Sequence, residues 1–138
     1  MNTQDIKQKI VSIAVEVFDP SEVLFAYLYG SYALDQAHSF SDLDVAIFVR
    51  PLPLQKQMEL EMVLALEIDA KMGRGPASDV RLLQSLPLIV AGTIVTKGLL
   101  IYCKDHHARI EYETMIRKLY FDFRPVIQNY HREYLQHG

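Results

Sequence analysis

Leu28-Tyr29-Gly30-Ser31, ten intervening residues, and then Asp42-Leu43-Asp44-Val45-Ala46-Ile47-Phe48-Val49 form the stretch on which the reading of this 138-residue chain turns. Val23 to Tyr29 is a nearly continuous run of β-branched, aromatic and aliphatic residues between Asp19-Pro20-Ser21 and Gly30, which favours a buried strand over a short helix. A second strand runs from Leu43 to Val49 and stops at Arg50-Pro51-Leu52-Pro53, because proline has no N–H to give to a ladder. The stretch therefore reads as two strands, with a Gly-Ser turn closing the first and alternating carboxylates opening the second. Between them, from Ser31 to Ser41, there is room for one or two helical turns and a polar loop.

Outward from this centre the chain alternates helix and strand. Ile6, Ile10, Ile13, Ala14 and Val17 recur at three- and four-residue spacing and predict an amphipathic helix over Thr3 to Phe18. Leu54 to Met72 is rich in good helix formers, and Met58, Met62, Leu66 and Asp69, with Val63 beside them, follow at helical spacing. The loop Gly73 to Ser78 leads to a third strand at Asp79-Val80-Arg81-Leu82-Leu83. A helix from Leu88 to Lys97 ends at Gly98, and Leu99 to Cys103 makes a short fourth strand. Asp105 caps a final helix with an apolar stripe of Ile110, Met115, Ile116, Leu119, Tyr120 and Phe123. Pro125 is expected to kink or restart that helix, and Val126, Ile127, Tyr130 and Tyr134 extend the stripe. There is no internal repeat or linker, so the expectation is one α/β domain over residues 1–138, with a C-terminal helical arm from about residue 105.

Composition sets limits on function. Half the residues are hydrophobic and 22% are charged, the balance of a globular protein. A net charge of −3 argues against a broad basic surface for nucleic acid, though not against a site for one nucleotide. The N-terminus lacks the charged leader and apolar core of a signal peptide, and no apolar run approaches a membrane span. The lone Cys103 fits a reducing compartment, so a cytoplasmic protein is expected.

Side chains alternate across a strand, which puts Asp42 and Asp44 on one face, roughly 7 Å apart. Two such carboxylates suit hard cations such as Mg²⁺, which takes oxygen ligands and keeps positions open for phosphate. Gly30 lets the backbone approach a ligand closely, and Ser31 offers a hydroxyl and an N–H where a helix begins. If the second and third strands pair, Asp79 joins Asp42 and Asp44 in a three-carboxylate cluster, where it can bind metal near an attacking hydroxyl and help remove its proton. Arg81, two residues on and on the same face, can reach a phosphate. Other sets are weaker. Gly73-x-Gly75 has Ser78 in place of a third glycine and runs from helix to strand, the wrong order for a dinucleotide fingerprint. Lys71 and Arg74 suit a solvated helix end, and the adjacent His106 and His107 diverge on a helix. Tyr112, Tyr120, Tyr130 and Tyr134 fit a core, a partner surface or both.

Gly30-Ser31, ten residues, Asp42-x-Asp44 and the later strand carboxylate Asp79 together resemble the signature of the DNA polymerase β nucleotidyltransferase superfamily. Length and element order are similar to its minimal nucleotidyltransferase (MNT) branch, the antitoxins paired with HEPN-domain RNase toxins. The resemblance implies a small mixed sheet flanked by helices. It also implies that Gly30 and Ser31 hold the triphosphate of ATP, while Asp42, Asp44 and Asp79 hold two Mg²⁺ ions. The activity implied is transfer of AMP to a tyrosine of a cognate HEPN toxin in a hetero-oligomer. Many relatives carry Arg-Gly shortly after the Gly-Ser pair, whereas Leu34-Asp35 stands here, so triphosphate handling falls to another cation, with Arg81, Lys71 and Arg74 the candidates. With no second domain to wrap a small acceptor, a protein acceptor is expected. The alternatives are a small-molecule nucleotidyltransferase acting as a dimer, and an antitoxin that works by binding alone.

Overall fold

The computed structural model describes the backbone of residues 1–137 and the side chains of residues 1–126 and 129. The elements follow in the order α1 (Thr3–Phe18), β1 (Val23–Tyr29), α2 (Gly30–Ala33), β2 (Leu43–Val49), α3 (Leu54–Met72), β3 (Ser78–Leu82), a 3₁₀ turn (Leu83–Ser85), α4 (Leu88–Lys97), β4 (Leu99–Cys103) and α5 (His106–His137). Local chemistry fixes several of these limits. Asn2 and Asp5 form a reciprocal capping box at the start of α1, satisfying two backbone donors that the first turn leaves free. Pro53 and Pro87 precede α3 and α4. Asp105 accepts the Ala108 N–H at 3.0 Å as α5 begins.

The strands form one four-stranded mixed sheet in the order β3-β2-β1-β4. β1 is antiparallel to both β2 and β4, whereas β2 and β3 run parallel. One face buries Leu43, Val45, Ile47, Val80 and Leu82 against α1 and α3, which contribute Ile10, Phe18, Leu64, Ile68 and Met72. The other face carries Phe25, Tyr27, Ala46 and Phe48 against α4 and α5, with Ile94, Tyr112 and Ile116. Strand alternation separates these sets, so neighbouring residues on β2 feed different cores.

Three details differ from the expectations. The third strand begins at Ser78, one residue early, because Ser78 N–H donates to Asp69 at 2.8 Å and its hydroxyl donates to the Ala65 carbonyl at 3.1 Å. Leu83 then leaves the ladder for the 3₁₀ turn. On α3 the buried residues are Leu64, Ile68 and Met72, while Met58, Met62, Val63 and Leu66 face outward. On α5 the inward face is Tyr112, Glu113 and Ile116, and Ile110, Met115, Leu119 and Phe123 are exposed. The helix continues through Pro125. The proposed extension through Ile127, Tyr130 and Tyr134 lies outside the described side chains.

Candidate active site

The end of β1, the start of β2 and the start of β3 meet at one edge of the sheet. In the β1–β2 ladder Tyr29 lies opposite Asp44, and in the β2–β3 ladder Asp44 lies beside Asp79. Asp44 shares its strand face with Ala46 and Phe48, so it points to the α4/α5 side of the sheet. Asp79 and Arg81 alternate with Val80 and Leu82, which belong to the opposite core, and therefore share that side. Asp42 is exposed just ahead of β2.

Gly30 turns the chain at φ +73° from β1 into the four-residue α2. A Cβ built on Gly30 would collide with the Asp44 carboxylate. Two independent constraints therefore require glycine there: the left-handed backbone and the close approach of a charged side chain. Ser31 is half-buried on the same turn, and its carbonyl accepts from Gln36 N–H at 2.8 Å. At Leu34-Asp35, Asp35 adopts φ +57°, a conformation natural to glycine, and its carboxylate pairs with Lys7 at 2.8 Å.

Like charges crowd this edge. The Asp44 carboxyl is held above the usual carboxylate range, by burial first and then by the fields of Asp79 and Asp42, with Arg81 opposing. The Tyr29 hydroxyl is pushed up to about 12, again by burial first and then by Asp44 and Asp79. Arg81 Nε lies 3.2 Å from Asp79 Oδ2, so the third carboxylate is turned toward its own strand neighbour. Among the described residues no group of three or more His, Cys, Asp or Glu side chains is close enough to hold one ion. The donors still fit a hard divalent cation in kind: they are all oxygens, and they repel one another.

Two neighbours of this site carried no motif in the sequence. Tyr29 lines the site because strand parity puts it on the Asp44 side, a signal available from its place before Gly30. Lys97, with Tyr29, Gly30, Ala33, Leu34 and Ile94, lines an apolar cleft of about 370 Å³. Its position depends on how α4 packs on β1, which no local pattern encodes. Lys71 instead pairs with Glu16 of α1 at 2.9 Å, on the other side of the sheet.

The family described as "Polymerase beta, Nucleotidyltransferase" matches residues 8–107. No curated protein matches the chain. Among solved structures, a toxin–antitoxin complex with AMP-PNP is similar at 20% identity and a TM-score of 0.59, covering 86% of this chain and 96% of that one. A tri-AMPylated Shewanella oneidensis HEPN toxin in complex with MNT antitoxin is similar at 19% identity and a TM-score of 0.56, covering 89% and 97%. A MntA–HepT toxin–antitoxin structure gives 19% identity and a TM-score of 0.54 over 88% and 97%. At these identities the likeness speaks for the fold. Among the described residues no helix is long and apolar enough to cross a membrane.

Proposed function

Because the chain belongs to the polymerase beta nucleotidyltransferase family, we propose that it is an antitoxin that transfers AMP from ATP to a tyrosine hydroxyl of a HEPN-domain toxin. The observation that supports this most is the register that sets Gly30 against Asp44 and Asp44 beside Asp79. The Gly30-Ser31 turn, Asp44 and Asp79 thereby share one end of the sheet, with Asp42 just ahead of β2. The neighbouring folds include one solved with AMP-PNP and one with an AMPylated HEPN toxin, which supports the choice of donor and acceptor. ATP as donor also suits a cytoplasmic setting.

In this reading the Gly30-Ser31 turn grips the β- and γ-phosphates, and Lys97 or Arg81 supplies the cation that Leu34-Asp35 does not. Asp42 and Asp44 would hold two Mg²⁺ ions, with Asp79 as a further ligand of one. Bound magnesium would neutralise phosphate charge and favour ionisation of the acceptor hydroxyl. The acceptor oxygen forms a bond to the α-phosphorus, the bond from that phosphorus to the bridging α–β oxygen breaks, and pyrophosphate leaves. Asp79 receives or relays the phenolic proton.

A second reading, neutralisation by binding alone, draws on the Arg81–Asp79 ion pair, which engages the third carboxylate. Incubation with ATP labelled at the α-phosphate, Mg²⁺ and a HEPN-domain toxin separates the two. Transfer of label to the toxin, lost in Asp42→Asn and Asp44→Asn, is the expected result. An unlabelled toxin that all three proteins neutralise equally would leave only the binding role.

A further inference from the structure

Sheet order gives the site a direction. Gly30 ends β1, Asp44 lies on the adjacent β2, and Asp79 lies beyond it on β3. Nucleotidyl transfer is an in-line displacement, in which nucleophile and leaving group occupy opposite sides of the phosphorus. With pyrophosphate departing on the Gly30 side, a step that rests on the function proposed above, the acceptor hydroxyl must arrive from the β3 side.

β3 is the edge strand there, and two of its outward N–H groups are already engaged. Its Ser78 N–H donates to Asp69 at 2.8 Å, and its Leu82 N–H donates to Glu61 at 2.9 Å, both acceptors being on α3. Side chains on the edge take the hydrogen bonds that an added strand would need. Past this edge runs a groove of about 300 Å³ between α3 and β3, lined by Met58, Met62, Ala65, Asp79 and Val80. Beside it on the outer face of α3 lies a trough of about 580 Å³ that Met58 and Met62 also line, together with Leu54. Leu54, Met58, Met62 and Leu66 are spaced four apart on one helix face and are exposed by 71, 60, 60 and 62%. Methionine is flexible and polarizable, and is overused on surfaces that receive another polypeptide. Glu59 lines the trough and Glu61 lines the groove, a charge that complements a segment carrying basic residues.

We propose that the outer face of α3, from Leu54 to Leu66 and centred on Met58 and Met62, docks the acceptor polypeptide, so that its hydroxyl enters beside Asp79 along the α3–β3 groove. The occupant is an apolar segment with basic flanks that presents a tyrosine at the Asp79 end. Asp79 lines this groove on the side from which in-line attack must come, which ties the apolar face to this one occupant.

The test uses the full chain with Met58→Lys and Met62→Lys combined, against Phe123→Lys on the exposed face of α5 as control. Both sites are exposed, and thermal unfolding verifies that each variant folds. The methionine variant is expected to bind the HEPN-domain protein at least tenfold more weakly and to raise its KM in the labelling reaction. Binding of a non-hydrolysable ATP analogue by the isolated chain is expected to be unchanged, and the control is expected to behave as wild type. Wild-type binding and labelling by the methionine variant would overturn the docking surface, as would loss confined to Phe123→Lys. So would self-association of the wild-type chain that the methionine substitutions abolish while toxin binding persists. If the wild-type chain binds the toxin without labelling it, and the methionine variant binds more weakly, the docking face stands and the transfer reading falls. No binding by the wild-type chain would end both.

Discussion

Gly30 and Gly73 both adopt positive φ, +73° and +70°, in very different surroundings. At Gly73 nothing lies within 4 Å of the place a methyl group would take, whereas at Gly30 that place is filled by the Asp44 carboxylate. Gly73→Ala should therefore cost only the backbone strain, about 1–3 kcal/mol in urea denaturation, and leave label transfer intact. Gly30→Ala carries strain of this kind and also drives Asp44 from its place, so it should lose more stability and at least a hundredfold in transfer rate. Equal behaviour of the two variants in both assays would contradict the cradle. Asp44 itself should show function and stability opposed. Its carboxyl is raised above the ordinary range in the fold, by burial and then by Asp79 and Asp42. The folded state then binds this proton more tightly than the unfolded chain, so the stability it carries is fully present below the unfolded value, about 3.9, and is lost as pH rises through the folded value. Asp44→Asn should consequently be more stable than wild type at pH 7 in buffer free of divalent cations. Urea titrations should show that gain vanishing as the pH falls below the ordinary carboxylate range.

At the scale of elements, β3 depends on α3 for more than packing. Asp69 and Glu61 accept the edge N–H groups of Ser78 and Leu82, which no strand partners. Removing a charged acceptor from such a donor costs about 1–3 kcal/mol, so Asp69→Ala should destabilise by that amount and speed amide exchange at Ser78, while Asp69→Asn keeps an acceptor and should cost less. Unchanged exchange at Ser78 in Asp69→Ala would place its support elsewhere. This dependence also marks where sequence patterns stop informing. Strand and helix limits were legible at Pro20, Gly30, Pro51, Pro53 and Gly98, because each acts on the local backbone. That Asp44 faces the α4/α5 side followed from strand parity alone, whereas Asp42 lies just ahead of β2, outside the ladder that parity governs. That Asp79 stands beside Asp44 needed the parallel pairing of β2 with β3, a contact made through the whole of α3. The helix faces were less legible still. Met58, Met62 and Leu66 have the period of a helix, but the period is shared by Leu60, Leu64 and Ile68 half a turn away, and only the position of the sheet chooses between them. The same choice on α5 favours Tyr112 and Ile116 over Ile110 and Met115, because Phe25 and Phe48 present aromatic rings to Tyr112 at 6.0 and 4.8 Å.

In the whole molecule, one polar network ties α5 to the strand that ends in Gly30. The Tyr27 hydroxyl donates to Glu113, which also receives Arg109 Nη1 at 3.1 Å and faces Arg117 Nη1 at 3.4 Å. Among the described residues Glu113 is the one charged residue buried in the core. Burial, followed by the hydrogen bond and field of Glu113, holds the Tyr27 hydroxyl far above its ordinary range, so it remains a donor at any pH the fold survives. Arg109 gains proton affinity from Glu113 first and Cys103 second. Glu113→Ala would leave the Tyr27 hydroxyl and the Arg109 guanidinium without their acceptor in a partly buried interface, a loss of about 1–3 kcal/mol. Glu113→Gln keeps an oxygen for Tyr27 but not the charge for two arginines, and should fall between. Replacing the network by apolar groups, with Tyr27→Phe, Arg109→Met and Glu113→Leu together, should recover much of the loss, since the desolvation cost disappears along with the attraction. Urea denaturation of the four proteins distinguishes this network from simple packing: a triple variant no more stable than Glu113→Ala would mean that shape, rather than an uncompensated charge, sets the cost. Because Tyr27 and Tyr29 share one face of β1, the network fixes the strand that aims Gly30 at Asp44. Loosening by Glu113→Ala should therefore lower label transfer at temperatures where the fold is still intact, and the triple variant should restore it.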